Sequence, residues 1–352
     1  MRITHSSITR NYLRRLNTNM SNLSKSNERM SSQCKFNSAS ENVADANKAM
    51  RVRLQLANNA DSQNNVRDAE GKLSVVEDNL QAINKITQDV IGRTVQGMNG
   101  TMSAEENEKI AREIKNLQDE VLQISNTRYG DQYIFGAAGN ADGSAPYSVD
   151  AGGDLMFNGT KVDSMRSGTG ANAGKIVTMV PDPANPLLQI EKPIPYNGKN
   201  YLDIGLGITI DANGNLDPKT AVEYSVSGVE LLGFGLTDKG TPNNLYGLLG
   251  EIAQNLTNGN TDALGDNLKE VSKQADKLLM GLSDIGTRMS FIEETGERLE
   301  NNTFSLQKIQ NDLEAVPIQE ESIYNKDFEM SWMVTLQMGA KIIPPSIFDF
   351  MR

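Results

Sequence analysis

A continuous heptad pattern near the end of the chain constrains the fold more than any other feature. From Leu264 to Leu313, apolar side chains recur in alternating steps of four and three residues. Such steps average about 3.5 residues, which keeps one apolar stripe facing a partner helix along its whole length. At about 1.5 Å per residue the helix would extend roughly 75 Å, so its partner must be equally long. The sequence therefore predicts a rod built by lateral packing of long helices.

The composition is typical of helices that pack along narrow apolar stripes. It also argues against several functions. Aromatic residues make up only 5% of the 352 residues, whereas large globular cores depend on them. A net charge of −11 disfavours nucleic acid or an anionic membrane as partner, because both require clustered Lys and Arg. No apolar run approaches the roughly 18 residues that span a bilayer, and residues 1–18 lack the apolar core of a cleaved secretory signal. We expect no membrane insertion, and an export route that does not read such a signal.

The residues that usually carry chemistry are scarce. His5 and Cys34 are the single histidine and the single cysteine of the sequence, so they fall short of the four ligands of a structural zinc site. The acidic pairs 293–294 and 320–321 lie in amphipathic helical patterns, where solvated faces are the ordinary explanation. We therefore predict no catalytic, metal or cofactor-binding residues. A hydrolase built on Asp and Ser in the middle of the chain stays open as an alternative, without a motif in its favour.

The first part of the chain is predicted to be helical. Steps of three and four residues predict a first helix over about 11–30, and the same pattern predicts another over about 104–128. Between them, Ser38 and Glu41 have the spacing of a capping box, so a second long helix should start near Glu41. We expect the glycines at 92, 97 and 100 to end that helix.

The second helix and the long C-terminal helix are predicted to share a coiled-coil seam. One row of the C-terminal stripe is apolar throughout, whereas the other weakens to Gly296, Thr303 and Gln310, where we expect looser packing or a close helix. The predicted seam consists of Leu73, Val76, Leu80 and Ile83 with Leu278, Leu282, Ile285, Met289, Ile292 and Leu299.

The middle of the chain changes character. Residues 137–240 are rich in Gly, Asn, Asp and Pro and contain short β-type runs at 155–157, 175–180 and 204–210, with a turn cluster at 211–215. The predicted fold is mainly α: a long antiparallel coiled-coil bundle formed by the terminal arms, with an inserted small β-rich domain. The predicted segments are 1–40 (assembly arm), 41–136 (coiled-coil helices), 137–240 (β-rich domain), 241–316 (long C-terminal helix) and 317–352 (assembly helix and tail).

The two ends of the chain are predicted to form an assembly interface. Pro317 should break the long helix, because it lacks an amide donor. The first helix is rich in Asn, Ser and Thr, which lower helix stability, so we expect the terminal helices to be ordered mainly by partners. The apolar tail should pack on the chain's own first helix or on a neighbouring subunit. The predicted interface residues are Leu13, Leu16, Met20, Leu23, Phe328, Trp332, Leu336, Ile343, Phe348 and Phe350.

Several motifs resemble those of flagellins and their relatives. They include the opening residues 1–4, the turn at 31–42 and the Gly-x-Arg-Met segment at 286–289. The motif at 130–136 and the ending at 341–350 resemble the hook-filament junction group, the FlgL or hook-associated protein type 3 group. The resemblance covers roughly residues 1–136 and 245–352.

This resemblance implies a structural role on the bacterial flagellum. It implies an extracellular subunit at the hook-filament junction, exported by the type III apparatus, that forms a ring with copies of itself. The implied partners are a FlgK-type hook-associated protein, flagellin and a FlgN-type export chaperone. Flagellin itself is the alternative function, and an enzyme displayed on a flagellin-like rod is a further one.

Overall fold

Long helices and a region of short strands make up the fold. The computed structural model describes residues 5–99, 102–137, 143–182, 188–194, 198–203, 205, 207, 209–210 and 221–342. Long helices near both ends of the chain and the strands between them confirm the predicted mainly α fold with an inserted β-rich domain. The chain divides into two compact units, residues 1–61 with 299–352, and residues 62–298. The finer division into five segments stays a prediction.

The helices follow the heptad patterns closely. They are α1 (His5–Ser32), α2 (Val43–Met98), α3 (Ala104–Ser125), α4 (Gly228–Leu232), α5 (Leu245–Asn258), α6 (Thr261–Glu314) and α7 (Ile318–Ile342). The heptad stripe from Leu264 to Leu313 lies entirely within α6. The predicted break at Pro317 is present, because α6 ends at Glu314 and α7 begins directly after the proline.

The inserted region consists of short antiparallel strands. They are β1 (Arg128–Tyr129), β2 (Gln132–Tyr133), β3 (Tyr147–Val149), β4 (Leu155–Phe157), β5 (Thr160–Lys161), β6 (Met165–Ser167), β7 (Ile176–Pro181), β8 (Gln189–Pro193), β9 (Tyr201–Asp203), β10 (Ala221–Glu223), β11 (Gly233–Leu236) and β12 (Pro242–Asn244). Two sheets have three strands, β3-β4-β5 and β6-β7-β8, and three have two strands, β1-β2, β9-β10 and β11-β12.

The predicted strands are found in part. The runs at 155–157 and 175–180 correspond to β4 and β7. In the third run, 204–210, residues 204, 206 and 208 lie outside the described residues, and the nearby strand is β9. The turn predicted at 211–215 also lies outside them.

Helix α2 ends among the glycines that were predicted to end it, but two of these glycines do not interrupt it. Gly92 and Gly97 lie inside α2, which continues to Met98; Gly100 is outside the described residues. The cost of about 1 kcal/mol per glycine is offset because Val90 and Thr94 beside Gly92 are fully buried.

The cap of α2 also differs from the prediction. Ser38 Oγ hydrogen-bonds Ser40 Oγ at 2.7 Å instead of capping a helix. Asn42 is the residue that caps α2, because its Oδ1 accepts from the amide of Asp45 at 3.2 Å. The reciprocal capping box in this structure lies at α3, between Ser103 and Glu106.

In the unit of residues 62–298, α2 contributes an unbroken buried stripe. Its members, all at most 2% exposed, are Val66, Ala69, Leu73, Val76, Leu80, Ile83, Val90, Thr87 and Thr94. On α6, Leu278, Ile285 and Ile292 are equally buried, while Leu282 and Met289 are half-buried. A Cβ placed on Gly296 of the weaker row would lie 3.5 Å from Val66 Cγ1, an ordinary contact. The helices therefore do not approach unusually closely at Gly296.

In the unit of residues 1–61 and 299–352, the same two helices run antiparallel around a buried amide. Asn59 is 6% exposed, and its Nδ2 donates to the carbonyl of Leu299 at 2.8 Å and to Thr303 Oγ1. Thr303, a polar residue of the weaker row on α6, thus has a polar partner in Asn59. A buried Asn of this kind fixes helix register at some cost in stability.

The connectors of this unit pair with each other. The amide of Lys35 donates to the carbonyl of Glu314 at 2.7 Å, and the amide of Val316 donates to the carbonyl of Gln33 at 3.0 Å. These bonds place Cys34 opposite Ala315 in an antiparallel bridge. We call residues 33–35 and 314–316 the clamp.

Candidate assembly interface

Helices α1 and α7 pack against each other in antiparallel orientation. Tyr12 near the start of α1 lies beside Gly339 near the end of α7. The inner face of α1 consists of Tyr12, Leu16, Asn19, Leu23, Ser26 and Met30, and that of α7 of Asn325, Phe328, Trp332, Thr335 and Gly339. Both sets follow steps of three and four residues, so the helices meet along one seam.

Polar contacts form much of this seam. Asn19 Nδ2 donates to Thr335 Oγ1 at 2.8 Å. Asn325 Nδ2 donates to Asn27 Oδ1 at 2.8 Å and to Ser26 Oγ at 3.2 Å. Each such bond contributes about 1 kcal/mol net, and half-buried apolar side chains contribute less than the roughly 1.5–3 kcal/mol of full burial. The pair is therefore held weakly by its own seam.

Apolar side chains cover the outward faces of the pair. Leu13 is 47% exposed, Met20 60% and Leu336 42%. The other exposed apolar residues on these two helices are Ile8, Ile318, Ile323, Tyr324, Met330, Met333, Val334 and Met338. Contiguous exposed apolar surface is typical of interaction sites.

The predicted interface residues fall into three groups. Leu16, Leu23, Phe328 and Trp332 are half-buried on the inner seam. Leu13, Met20 and Leu336 point to the outside. Ile343, Phe348 and Phe350 lie outside the described residues. The sequence pattern did not single out Tyr12, Asn19 or Ser26, because polar residues on an inner face do not register as an apolar stripe.

The charges of the two helices are opposite. α1 carries five basic side chains and one acidic one, although the whole chain has a net charge of −11. α7 carries four acidic and two basic side chains. Opposite charges favour contact between these two helices.

An ion pair stabilises the clamp, which lies next to the α1–α7 helix pair. Arg53 Nε lies 2.8 Å from a carboxylate oxygen of Glu314. Partial burial raises the pKa of Glu314, but hydrogen bonds from Arg53 and Gln310 outweigh it and lower that pKa overall. The same pair raises the pKa of Arg53. Lys35 Nζ also donates to the carbonyl of Asp312 at 2.6 Å.

The motif at 130–136 has a structural role in the unit of residues 62–298. It follows β1 and contains β2 of a tight hairpin, with Gly130 at φ +58°. Ile134 and Phe135, which follow β2, are at most 1% exposed. The buried Lys72 Nζ donates to Gln132 Oε1 at 3.1 Å and lies 4.9 Å from the ring centroid of Tyr224; burial lowers its pKa.

Arg288 of the Gly-x-Arg-Met segment has a similar role. Its guanidinium pairs with Asp284 at 2.7 Å and with Glu223 at 3.6 Å. It also reaches the carbonyl of Ser225 at 3.5 Å. These contacts hold the end of β10 against α6.

A cleft of about 770 Å³ lies beside α3 and α5. Partial burial raises the pKa of two carboxyl groups that line it, Asp163 and Glu251. Asn244 Nδ2 donates to Asp163 Oδ1 at 2.6 Å, and Gln118 Nε2 donates to the carbonyl of Tyr246 at 2.9 Å. These bonds join the walls of the cleft.

The described ranges contain no group of three or more His, Cys, Asp or Glu side chains that could hold a metal ion. No helix among the described residues is long and apolar enough to cross a membrane.

Comparisons with known proteins point to the flagellum. Residues 3–139 match the bacterial flagellin N-terminal helical region. The flagellar filament 41 kDa core protein of Borreliella burgdorferi is 26% identical over 174 residues, 49% of this chain and 50% of that protein. The flagellar hook-associated protein 3 of Escherichia coli K12 is 32% identical over 103 residues, 28% of this chain and 32% of that protein. The chain thus spans half or less of the length of these relatives.

The fold is also found among solved structures. A flagellar hook-associated protein from Vibrio parahaemolyticus, 13% identical, superposes on 78% of this chain and 100% of its own with a TM-score of 0.57. Residues 3–139 are thus similar to the N-terminal helical region of flagellins. The chain shares the fold of the Vibrio parahaemolyticus protein.

Proposed function

We propose that this protein is a structural subunit of the hook-filament junction, which polymerises through α1 and α7. The observation that carries the proposal is the α1–α7 pair, whose seam contains several polar contacts while apolar side chains such as Leu13 and Met20 face outward. A pair that served only to close the chain would bury those residues. Neighbouring subunits would cover them.

The junction position is favoured over the filament by sequence and fold together. The fold is shared with a hook-associated protein, and hook-associated protein 3 of Escherichia coli is among the relatives. The hairpin motif at 130–136 is built into the core through Ile134 and Phe135. Flagellin is the second candidate, because residues 3–139 match the N-terminal helical region of flagellin.

The proposed partners follow from this position. The subunit would form a ring with copies of itself and contact a FlgK-type hook-associated protein on one side and flagellin on the other. A FlgN-type chaperone would hold its C-terminal segment before export. Deleting residues 317–352 should then abolish chaperone binding, and undiminished binding would refute this part of the proposal.

Deletion of the gene distinguishes the two candidates. Electron microscopy of the deletion strain should show hooks without filaments, with flagellin released into the medium. A missing major filament protein with the junction intact would instead identify the protein as flagellin.

A pair of matched variants tests the proposed interface. Leu13→Glu places a charge on the outer face of α1, and Leu236→Glu places the same charge on β11, where the leucine is 54% exposed. Both variants should fold, because neither side chain is buried. We expect Leu13→Glu to fail to restore filaments in the deletion strain and Leu236→Glu to restore them. Equal restoration by both variants would contradict the interface.

A further inference from the structure

The clamp has the geometry of two paired strands. The two backbone hydrogen bonds flank the Cys34–Ala315 pair on either side. This arrangement makes Cys34 and Ala315 a non-hydrogen-bonded antiparallel pair, in which the Cα atoms lie about 4.5 Å apart. Side chains at such a pair point to the same side and approach closely.

The surroundings of the clamp show that it is held under some strain. Gln33 has φ +58°, an unfavourable region for a residue with a Cβ. A cavity of about 220 Å³ lies beside it, lined by Arg29, Phe36, Pro317 and Glu321 among others. Arg29 Nε and Glu321 Oε1 are buried there without a hydrogen-bond partner in the described part of the chain. The clamp is therefore tied by specific bonds and not by dense packing.

Helix α7 depends on this connection because its seam with α1 is weak. The inner residues of α7, such as Phe328 and Trp332, are only half-buried. The antiparallel contact of α2 with α6, for example of Arg53 with Glu314, already brings the end of α1 near the start of α7. Closing the clamp fixes the two connectors in one bridge, which lowers the remaining entropy cost of pairing α1 with α7.

We propose that the clamp is a conformational device that controls the docking of α7 on α1. When residues 33–35 and 314–316 are paired, the two terminal helices are held in register and present the outer apolar face together. When the clamp opens, α7 leaves α1 and its seam becomes free. The inference concerns the single chain and does not depend on the function proposed above.

A disulfide across the clamp tests the proposal. Ala315→Cys places a thiol opposite the natural Cys34, and a Cα separation of about 4.5 Å is within the range for a disulfide. Oxidised glutathione would take up the two electrons released as the bond forms. Hydrogen exchange of the α7 amides is then compared in the oxidised and the reduced protein. We expect exchange to slow by at least about tenfold on oxidation, with α3 unchanged as the internal reference.

Two controls make the result decisive. Ala315→Ser cannot form the bond, so oxidation should leave exchange in α7 unchanged. Val316→Pro removes the amide that bonds Gln33, whereas Val316→Ala keeps it; α7 should exchange faster in the proline variant than in the alanine variant. The proposal is overturned if the disulfide does not form within one chain, if oxidised and reduced α7 exchange alike, or if the two Val316 variants behave identically.

Discussion

We expect the substitution of Gly by Ala to have opposite effects on stability at two positions of α2. A Cβ added at Gly92 meets nothing within 4 Å, whereas a Cβ at Gly97 would lie 2.3 Å from Leu256 Cδ2. Leu256 on α5 is 1% exposed, so its side chain has little room to move aside. Gly92→Ala therefore adds a methyl group in open space, whereas Gly97→Ala adds one that clashes with Leu256, although both positions lie inside the same helix.

Helix propensity and overpacking make opposing contributions to the free energy of unfolding of these variants. Ala is favoured over Gly in a helix interior by about 1 kcal/mol, so Gly92→Ala should raise the free energy of unfolding by about that amount. Overpacking a buried contact costs about 1–3 kcal/mol. Gly97→Ala should therefore lower the free energy of unfolding by about 1 kcal/mol net. The two variants should differ by about 2 kcal/mol.

Thermal and urea unfolding, monitored by circular dichroism, measure this difference. For a unit of about this size, 1 kcal/mol corresponds to about 2–4 °C in Tm. Leu256→Ala supplies the control, because it removes the clashing atom. In that background Gly97→Ala should become stabilising, which reverses its sign. The reasoning is refuted if Gly97→Ala stabilises the wild-type chain as much as Gly92→Ala does.

Three further predictions concern buried groups. Leu80→Ala removes a side chain that is 1% exposed and should cost about 2–5 kcal/mol in urea unfolding; a cost under 1 kcal/mol would contradict its place in the seam. Asn59→Ala removes the hydrogen bonds of a buried amide to the Leu299 carbonyl and to Thr303 and should cost about 1–3 kcal/mol by the same assay. Partial burial raises the pKa of Asp163, so the folded state binds its proton more tightly and stability from this group increases as pH falls through that pKa. Asp163→Asn should reduce that gain as the pH falls toward the ordinary Asp pKa of about 3.9, and an unchanged pH profile would refute the assignment.

The long helices could be predicted because their physical signal is redundant. Heptad spacing from Leu264 to Leu313 repeats over many turns, so single weak positions such as Gly296 did not obscure α6. The same redundancy keeps Gly92 and Gly97 inside α2, although glycine was expected to end the helix. A glycine costs about 1 kcal/mol, which is small beside the burial of neighbours such as Val90.

Local backbone geometry was harder to predict. Ser38 and Glu41 have the spacing of a capping box, but the chain forms a turn there and Asn42 caps α2 instead. Ser103 and Glu106 have the same spacing and do form the box. The motif alone does not determine which of two such sites adopts the required extended conformation.

The candidate interface could be predicted only in part, because α1 has apolar residues on two faces. One face packs on α7, and the other is exposed. The apolar pattern combined outward residues such as Leu13 and Met20 with inward ones such as Leu16. The inner seam itself uses Asn19 and Ser26, which an apolar pattern passes over. A helix that packs both within its chain and against neighbours shows no single stripe in its sequence.

The position of Trp332 gives the chain a natural optical reporter. It is the single tryptophan of the sequence, and it is half-buried on the face of α7 that packs against α1. Indole emission shifts to longer wavelength when water reaches the ring. The unlabelled wild-type protein therefore reports the docking of α7 on α1 in real time and without any introduced dye.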